Sequence, residues 1–445
     1  MIEKLKSIKN HQGFMKYFKN TSWLFGERIL KMGVGLFISV WIARYLGPDK
    51  FGLLNYSLAI ITFISIFVYL GLSGILVHEL VDKPEENEKI LGTAFFMKVV
   101  GSIIGYIILI ILAVLTTSIG SVNFWLLIIM GLGLFLLPFD VISSFNESQV
   151  MAKYSVKAKS YAFIISTFIK IFLIFYGASL LFFGFMQPFE LFVGTVFLFY
   201  YFNKQGYSIK KWKFNLKKSK ELIKKSWKLI LSFVFVTIYL KIDQIMLAWM
   251  INEHEVGIYS VAVTLSEAWY FIPIAIVSSL FPALIKTKKI NFERYQHQLQ
   301  KLYDFLFLIA LVIAILVSLF ANKIILTLYG EAYASSATVL VVHIWAGVFI
   351  FMRTLFSKWI IMEDFLILSL YTQGFGGVLN IILNLLFIPT YGVMGAAIAT
   401  LLSYAGASYF ILFLIKSSRS QAKMMTLSLL LPLRVIIYRG KIWNH

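Results

Sequence analysis

Apolar runs of about twenty residues recur almost from one end of this chain to the other. A transmembrane helix needs about 20 consecutive, mostly apolar residues. Twelve such runs are readable: 22–46, 51–80, 91–117, 123–149, 160–183, 188–203, 227–251, 256–285, 302–322, 336–360, 364–388 and 392–415. The sixth is the shortest. Composition closes the other routes. Apolar residues make up 60 % of the 445 and charged residues 14 %, against about 45–50 % and about 25 % in soluble domains. So much Leu, Ile, Phe and Val has no interior to hide in except a bilayer. Disorder, collagen and coiled coil are excluded on the same ground. The chain has no cysteine, which excludes disulfides, thiolate metal sites, cysteine nucleophiles and iron–sulfur clusters.

Charge sets the orientation. The net charge is +20, and it is unevenly placed. The N-terminus carries Lys4, Lys6, Lys9, Lys16 and Lys19. Every second loop after it is basic: Lys83 and Lys89; Lys153, Lys157 and Lys159; Lys286, Lys288, Lys289 and Arg294. The longest loop, 204–228, holds ten lysines. The intervening loops hold almost none, Lys50 being the clearest exception. By the positive-inside rule both termini are expected in the cytoplasm, which requires an even number of spans. The ten-lysine loop reads as a topology signal with attraction to anionic lipid. Nucleic-acid binding is disfavoured, since only Trp212 and Phe214 could supply stacking. Met1–Asn20 is too polar for a cleaved signal peptide. Ile2, Leu5 and Ile8 share a helical face, with lysines beside them, and read as a short helix on the membrane surface. The run Leu427–Ile437, too short to span and holding Pro432 and Arg434, reads as interfacial too.

The lysine loop divides the chain in half. The expected organisation is a six-helix bundle over 1–203, a basic linker over 204–226, a second six-helix bundle over 227–416 and a tail over 417–445. The halves share an echo. Ala43-Arg-Tyr-Leu-Gly-Pro-Asp-Lys-Phe-Gly52-Leu53 aligns without a gap on Ala248-Trp-Met-Ile-Asn-Glu-His-Glu-Val-Gly257-Ile258. An even number of spans separates them, so the halves point the same way and relate by an axis along the membrane normal. The fold class expected is an all-α membrane protein of twelve transmembrane helices. They form two six-helix bundles related by that pseudo-twofold axis, facing each other across a cleft.

Enzymatic signals are lacking. The six histidines are scattered with no metal-ligand pair, and no phosphate loop of the GxxxxGK[ST] kind is present. No catalytic residue, metal or cofactor is expected. The informative residues are charges inside the spans, where each costs about 2.5–3.5 kcal/mol on insertion scales and so faces a cavity or a partner. They are Glu27, Arg28 and Lys31 in the first span, Lys98 in the third, Asp140 and Glu147 in the fourth and Lys170 in the fifth. The second half adds Lys241 and Asp243, Glu267, and Arg353 with Lys358. Arg28, Lys31, Arg353, Lys98, Lys170 and Lys241 are candidates for binding an anionic diphosphate head group. Arg grips phosphate with paired hydrogen bonds and Lys supplies a point charge. Asp243, Glu267, Glu27 and Asp140 are candidates for ion coupling. Each group has a structural alternative: Glu27 pairing with Lys31, Lys98 and Lys358 snorkelling to the interface, Asp243 neutralising Lys241. Pro273 and Pro282 are expected to kink the eighth span.

Three stretches carry a family resemblance. Asn380-Ile-Ile-Leu-Asn384-Leu-Leu-Phe-Ile-Pro389-Thr-Tyr-Gly392-Val-Met-Gly395-Ala-Ala-Ile-Ala-Thr400 resembles the eleventh-to-twelfth-helix junction of polysaccharide exporters. Arg44-Tyr-Leu-Gly47-Pro48-Asp-Lys-Phe-Gly52 resembles their first turn. Lys241-Ile-Asp243-Gln-Ile-Met, Val256-Gly257-Ile-Tyr259 and Leu280-Phe281-Pro282 resemble the start of their second half. The family is the lipid-linked oligosaccharide flippases (O-antigen or Wzx type) of the multidrug/oligosaccharidyl-lipid/polysaccharide exporter superfamily. The resemblance implies translocation of undecaprenyl-diphosphate-linked oligosaccharide from the cytoplasmic to the outer leaflet by alternating access, for O-antigen or capsule export. It implies a V-shaped cavity between two lobes, no ATP hydrolysis and residence in the bacterial cytoplasmic membrane. Membrane lipids, a polysaccharide polymerase and chain-length machinery are the implied partners. Related lipid II flippases use basic residues in the first, second and eighth helices. Arg28 and Lys31 match the first of these in kind, but the eighth span has Glu267 and no Arg, which argues against the peptidoglycan-precursor branch. The alternatives are a multidrug cation exporter of the same superfamily, which would need an acidic cavity, and a polytopic polymerase or glycosyltransferase, which would need a long extracytoplasmic loop. The charge pattern makes a direct prediction. Single cysteines at Ser219 and Asn252 label from opposite faces of the membrane, Ser219 from the cytoplasm alone; labelling of both from one side refutes the twelve-span topology.

Overall fold

The structure is a computed structural model describing residues 12–365 and 367–437, with side chains described for residue 20 and from residue 22 onward. The surface helix expected at Ile2, Leu5 and Ile8 lies outside the described residues. Among those residues every regular element is helical. Ten helices are long and apolar enough to cross a membrane. Two of them are too long to be one span each: Ser22–Asp82 has 61 residues and Ile367–Leu414 has 48. At about 1.5 Å per residue these would run roughly 90 and 70 Å, against a hydrocarbon core of about 30 Å. The first breaks at Gly47 (φ 72°) and bends again within its second span at Leu70 and Gly71 (φ 50° and 59°); the second breaks at Gly392 (φ 57°). A proline sits close to each break, Pro48 directly after the first and Pro389 before the second. Twelve membrane-crossing segments result.

In chain order these are α1 (12–46), α2 (48–82), α3 (Pro84–Thr116), α4 (Val122–Ser148), α5 (Ala152–Tyr176) and α6 (Leu180–Lys204). The second set is α7 (Leu216–Met250), α8 (Glu253–Ile290), α9 (Phe292–Leu328), α10 (Ser336–Met362), α11 (367–391) and α12 (393–414). Two short helices follow, α13 (Arg419–Leu429) and α14 (Leu431–Ile437), bent by 62° across their junction. Side chains as exposed as Leu115, Phe175 and Leu319 are tolerable only against lipid.

The chain forms two compact units. One comprises Met1–Leu46 with Tyr56–Val234; the other comprises Gly47–Asn55 with Phe235–His445. The first unit closes over Leu72, Leu76, Ile90, Val141 and Phe145. The second closes over Tyr303, Leu306, Met352, Phe356 and Met425. The segment read as a linker is bound into the first unit. The Lys213 amide donates to the Glu88 carbonyl (3.2 Å), the Asn215 amide to Thr93 Oγ1 (3.1 Å), and Lys218 Nζ to Glu79 Oε2 (2.6 Å). From Leu216 onward it is already helix α7. Ser219 is buried there, so exposed Lys220 is the better labelling position on this segment.

Two sequence boundaries move. The turn between the fifth and sixth spans lies at Gly177–Ser179, where Gly177 adopts a left-handed conformation (φ 73°), not near residues 184–187. Pro188 is inside α6, which has a full 25 residues. Gly184 is a packing glycine: a Cβ there would lie 2.3 Å from Leu126 Cδ1. Lys159, read as a loop residue, lies inside α5. In α8 the helix breaks between Glu267 and Phe271, where Pro273 offers no N–H to the Trp269 carbonyl; Pro282 lies within the following helix.

The echoed glycines meet each other, both within the second unit. A Cβ on Gly52 would lie 1.8 Å from the Glu253 carbonyl oxygen, and one on Gly257 would lie 2.1 Å from the Pro48 carbonyl oxygen. The two turns therefore cross backbone on backbone, and His254 Nδ1 lies 3.1 Å from Asp49 Oδ1 beside them. Neither position can accept a methyl without moving main chain. Gly257→Ala is expected to lower the thermal midpoint of the detergent-solubilised protein, at a cost of about 1–3 kcal/mol or more. Gly33→Ala, with nothing within 4 Å, is expected to leave the midpoint unchanged or raise it. Equal behaviour of the two variants would refute the backbone contact.

Candidate functional site

The first unit encloses a polar cavity of about 170 Å³ whose lining includes Lys31, Tyr69, Asp140, Lys159, Glu190 and Thr195. Local winding explains how its charges arrive there. Between Leu132 and Asp140 helix α4 tightens into a 3₁₀ stretch containing Pro138. Asp140 ends that stretch and pairs with Lys159 of α5 at 2.9 Å. Ser102 Oγ of α3 donates to the Leu134 carbonyl (2.8 Å) within it. Glu27 and Lys31, four apart on α1, pair at 3.0 Å, as helical spacing allows. Lys170 of α5 and Glu190 of α6 pair at 3.4 Å. Lys98 of α3 is buried completely, and its Nζ has no hydrogen-bond partner among the described residues. It lies 5.7 Å over the Tyr69 ring and within electrostatic reach of Asp140. It therefore does not snorkel. A buried ammonium without an acceptor is costly, and inside a membrane such a group is by default a functional candidate.

The second unit holds a different arrangement. Asp243 of α7 is buried and accepts hydrogen bonds from Tyr259 Oη of α8 (2.7 Å) and Thr400 Oγ1 of α12 (2.7 Å). Asn384 Nδ2 of α11 also donates to it. Asn380, one turn earlier on the same face, accepts from Asn384 Nδ2 through Oδ1 (3.2 Å). Asn384 Oδ1 and Asn380 Nδ2 have no hydrogen-bond partner among the described residues. The α11–α12 reversal brings Thr400 to this point because Gly395 packs against the Phe387 carbonyl, where a Cβ would sit at 2.2 Å. Four helices thus converge one carboxylate, two amides and two hydroxyls. Such a set suits a proton or a monovalent cation; a divalent ion wants more carboxylates.

Arg353 of α10 is committed locally. It donates to the Ala407 carbonyl (2.9 Å), within a π-helical turn Gly406–Phe410, and to Thr372 Oγ1 (3.3 Å). Lys241 and Glu267 are half-buried, make no hydrogen bond among the described residues, and lie within electrostatic reach of each other. Lys358 Nζ lies 5.5 Å from the Phe281 ring.

The structure therefore gathers Glu27, Lys31, Asp140 and Lys170 around one cavity with Lys98 behind it, and sets Asp243 in a polar cluster of its own. Asp243 is hydrogen-bonded by neutral groups, not by Lys241. Arg28 is exposed and unpartnered among the described residues. Lys159 and Glu190 were missed as cavity charges. Lys159 fell one residue outside the expected fifth span, whereas Glu190 stood inside the expected sixth span, 188–203, and was passed over as an intramembrane charge. Asn380, Asn384, Thr400 and Tyr259 stood in the motif stretches with no chemistry attached to them.

Comparison with known proteins places this geometry. A model of the family described as polysaccharide biosynthesis protein matches residues 17–288. A probable flippase, AglR, of Haloferax volcanii is 33 % identical over 176 residues, 37 % of this chain and 35 % of the relative. The chain thus spans about a third of the length of this curated relative. An inward-facing multidrug resistance MATE transporter of the MOP superfamily superposes with a TM-score of 0.72 at 15 % identity, covering 89 % of this chain and 95 % of the other. The lipid II flippase MurJ, inward closed, superposes with a TM-score of 0.70 at 17 % identity, covering 93 % and 92 %. At these identities the likeness is one of fold.

The Asp243 cluster yields a stability test. Asp243→Ala removes the acceptor shared by Tyr259, Thr400 and Asn384; Thr400 can still donate to the Ala396 carbonyl (2.9 Å), and each buried donor left unsatisfied costs about 1–3 kcal/mol. Asp243→Asn keeps one carbonyl acceptor. In thermal melts of the purified protein the midpoint is expected to fall most for Asp243→Ala, less for Asp243→Asn and least for Lys241→Ala. A midpoint lost equally in the Lys241 variant would refute the bonding pattern.

Proposed function

Because the chain belongs to the polysaccharide biosynthesis protein family, we propose that it is a flippase. It moves undecaprenyl-diphosphate-linked oligosaccharide repeat units from the cytoplasmic to the outer leaflet by alternating access, with both termini in the cytoplasm of a bacterial cell. It acts without chemical transformation of its cargo. The observation that carries this reading is a cavity among apolar spans whose surrounding cations are only partly neutralised. Lys31, Lys159 and Lys170 pair with Glu27, Asp140 and Glu190, whereas Lys98 and Arg28 form no ion pair among the described residues. A polar, cation-bearing chamber in a membrane protein has an anion as its natural guest, and a diphosphate head group is the anion that a lipid-linked sugar carries. Kinship with a probable flippase and a fold shared with a lipid flippase support the same reading.

In this scheme Arg28 and Lys31 meet the diphosphate first, and Lys98 and Lys170 hold the field positive behind them. The second half carries its own candidate cations, Lys241 and Arg353, the latter already bonded to the Ala407 carbonyl and Thr372. Asp243, with its ring of amide and hydroxyl groups, takes the proton or monovalent cation of the return step; Glu267, Glu27 and Asp140 are the reserve carboxylates. The cargo is released to a polymerase and chain-length machinery. A multidrug cation exporter is the competing reading, and Lys98 and Arg28, which form no ion pair among the described residues, disfavour it.

The test is export in a deletion strain complemented with variants, read as lipid-linked sugar trapped on the cytoplasmic leaflet. Hydrogen bonds to charged groups contribute about 1.5–3 kcal/mol, roughly ten- to a hundredfold in affinity. Arg28→Ala and Lys31→Ala are expected to lower export by that order with normal protein levels. Arg28→Lys should rescue partly, and Arg28→Glu should be worse than alanine. Asp243→Asn should slow turnover with substrate still bound. Full export by folded Arg28 and Lys31 variants would refute the anion site, and accumulation of unpolymerised sugar on the outer leaflet would point to a polymerase.

A further inference from the structure

The start of helix α7 presents three distinct faces. Lys218, Ser219, Leu222 and Ser226 are buried against the first unit. Lys218 Nζ is clasped by Glu79 at 2.6 Å, with Glu86 at 3.5 Å, and Lys225 bonds the same Glu79. Asn215 Oδ1 caps the helix by accepting from the Lys218 amide (2.9 Å). This clasp fixes the rotation of the helix, so the opposite side is a displayed surface. At about 100° per residue, Leu216, Ile223 and Trp227 fall on one narrow stripe. They are 61 %, 47 % and 51 % exposed. Lys217, Lys220, Lys224 and Lys228 lie along one flank of that stripe. All four are exposed and form no ion pair among the described residues, and Lys228 Nζ sits 5.7 Å over the Trp227 ring.

We propose that this face is a docking surface for anionic phospholipid head groups, with the apolar stripe seated among the upper acyl methylenes and the four lysines on the phosphates. The argument is one of joint complementarity. A soluble polyanion would match the lysines and leave Leu216, Ile223 and Trp227 in water. Pure hydrocarbon would match the stripe and strand four ammonium groups. An interface with phosphates directly above acyl chains matches both. The surface is more than loose charge attraction because the Glu79 clasp holds the stripe and the lysines in fixed register.

The chain has no cysteine, so a single Ile223→Cys labelled with an environment-sensitive dye reports on this face alone. The full-length protein is placed in phosphatidylcholine nanodiscs containing increasing phosphatidylglycerol. With rising phosphatidylglycerol the dye emission is expected to shift blue and become protected from an aqueous quencher. Each Lys→Gln change among the four should raise the half-maximal phosphatidylglycerol fraction, and the variant carrying all four should lose the response, with size-exclusion profile and melting midpoint unchanged. The proposal is overturned if the dye is insensitive to phosphatidylglycerol, if the folded four-lysine variant responds like the parent, or if heparin or short RNA gives the same protection in phosphatidylcholine alone. Transport is not read in this experiment, so its outcome is independent of the flippase assignment.

Discussion

A backbone amide or carbonyl in hydrocarbon has its own helix to bond to and little else. The rest of this structure follows from that constraint. It forces all-helical segments, and it makes every departure from regular winding a place where a substitute partner must be found. Side chains supply these partners. Ser102 Oγ donates to the Leu134 carbonyl in the 3₁₀ stretch of α4, Tyr45 Oη to the Ala178 carbonyl at the α5–α6 turn, and Arg353 to the Ala407 carbonyl in the π turn of α12. These departures also aim the chemistry: the 3₁₀ stretch ends on Asp140, and the α11–α12 reversal delivers Thr400 to Asp243.

The same low dielectric governs the charges. Glu27–Lys31, Asp140–Lys159 and Lys170–Glu190 are pairs that keep a polar chamber stable inside an apolar bundle. Asp243 takes the other solution, a carboxylate held by neutral hydroxyl and amide donors. Lys98 follows neither solution, and it sits against the aromatic face of Tyr69. Membership of the polysaccharide biosynthesis protein family, a fold shared with transporters and this division between paired and unpaired charges are the grounds on which a carrier for an anionic amphiphile is proposed.

Much of the fold was legible in the residues. Hydrophobic run lengths gave the span count, and the aligned Gly52 and Gly257 marked a real contact because only glycine permits backbone to touch backbone there. The α5–α6 turn was misplaced because Pro188 and Gly184 look like punctuation. In the fold one is a tolerated interior proline and the other a packing position. Lys159 was read as a loop charge because it fell one residue outside the expected fifth span. The Asp243 cluster was beyond any local reading. Its partners lie 16, 141 and 157 residues away in the chain, and no periodicity connects positions so distant. Arg353 was legible as a costly charge, but its acceptor was not, since a carbonyl freed by a π turn leaves no trace in side-chain pattern.

The π turn Gly406–Phe410 carries a lesson for comparing sequences. Its bonds run five residues forward where an α-helix runs four, so the turn holds one residue more than a regular helix needs. Everything after it is rotated by about one residue's worth relative to an uninterrupted helix. Buried Leu412 and exposed Leu414 owe their facing to that extra residue. α12 thus has two reading frames, one ending at Ala405 and one starting at Ile411. A gapless alignment through it would equate lipid-facing positions with packed ones, so a gap between 406 and 410 is the physically correct way to line up a relative whose helix lacks the bulge.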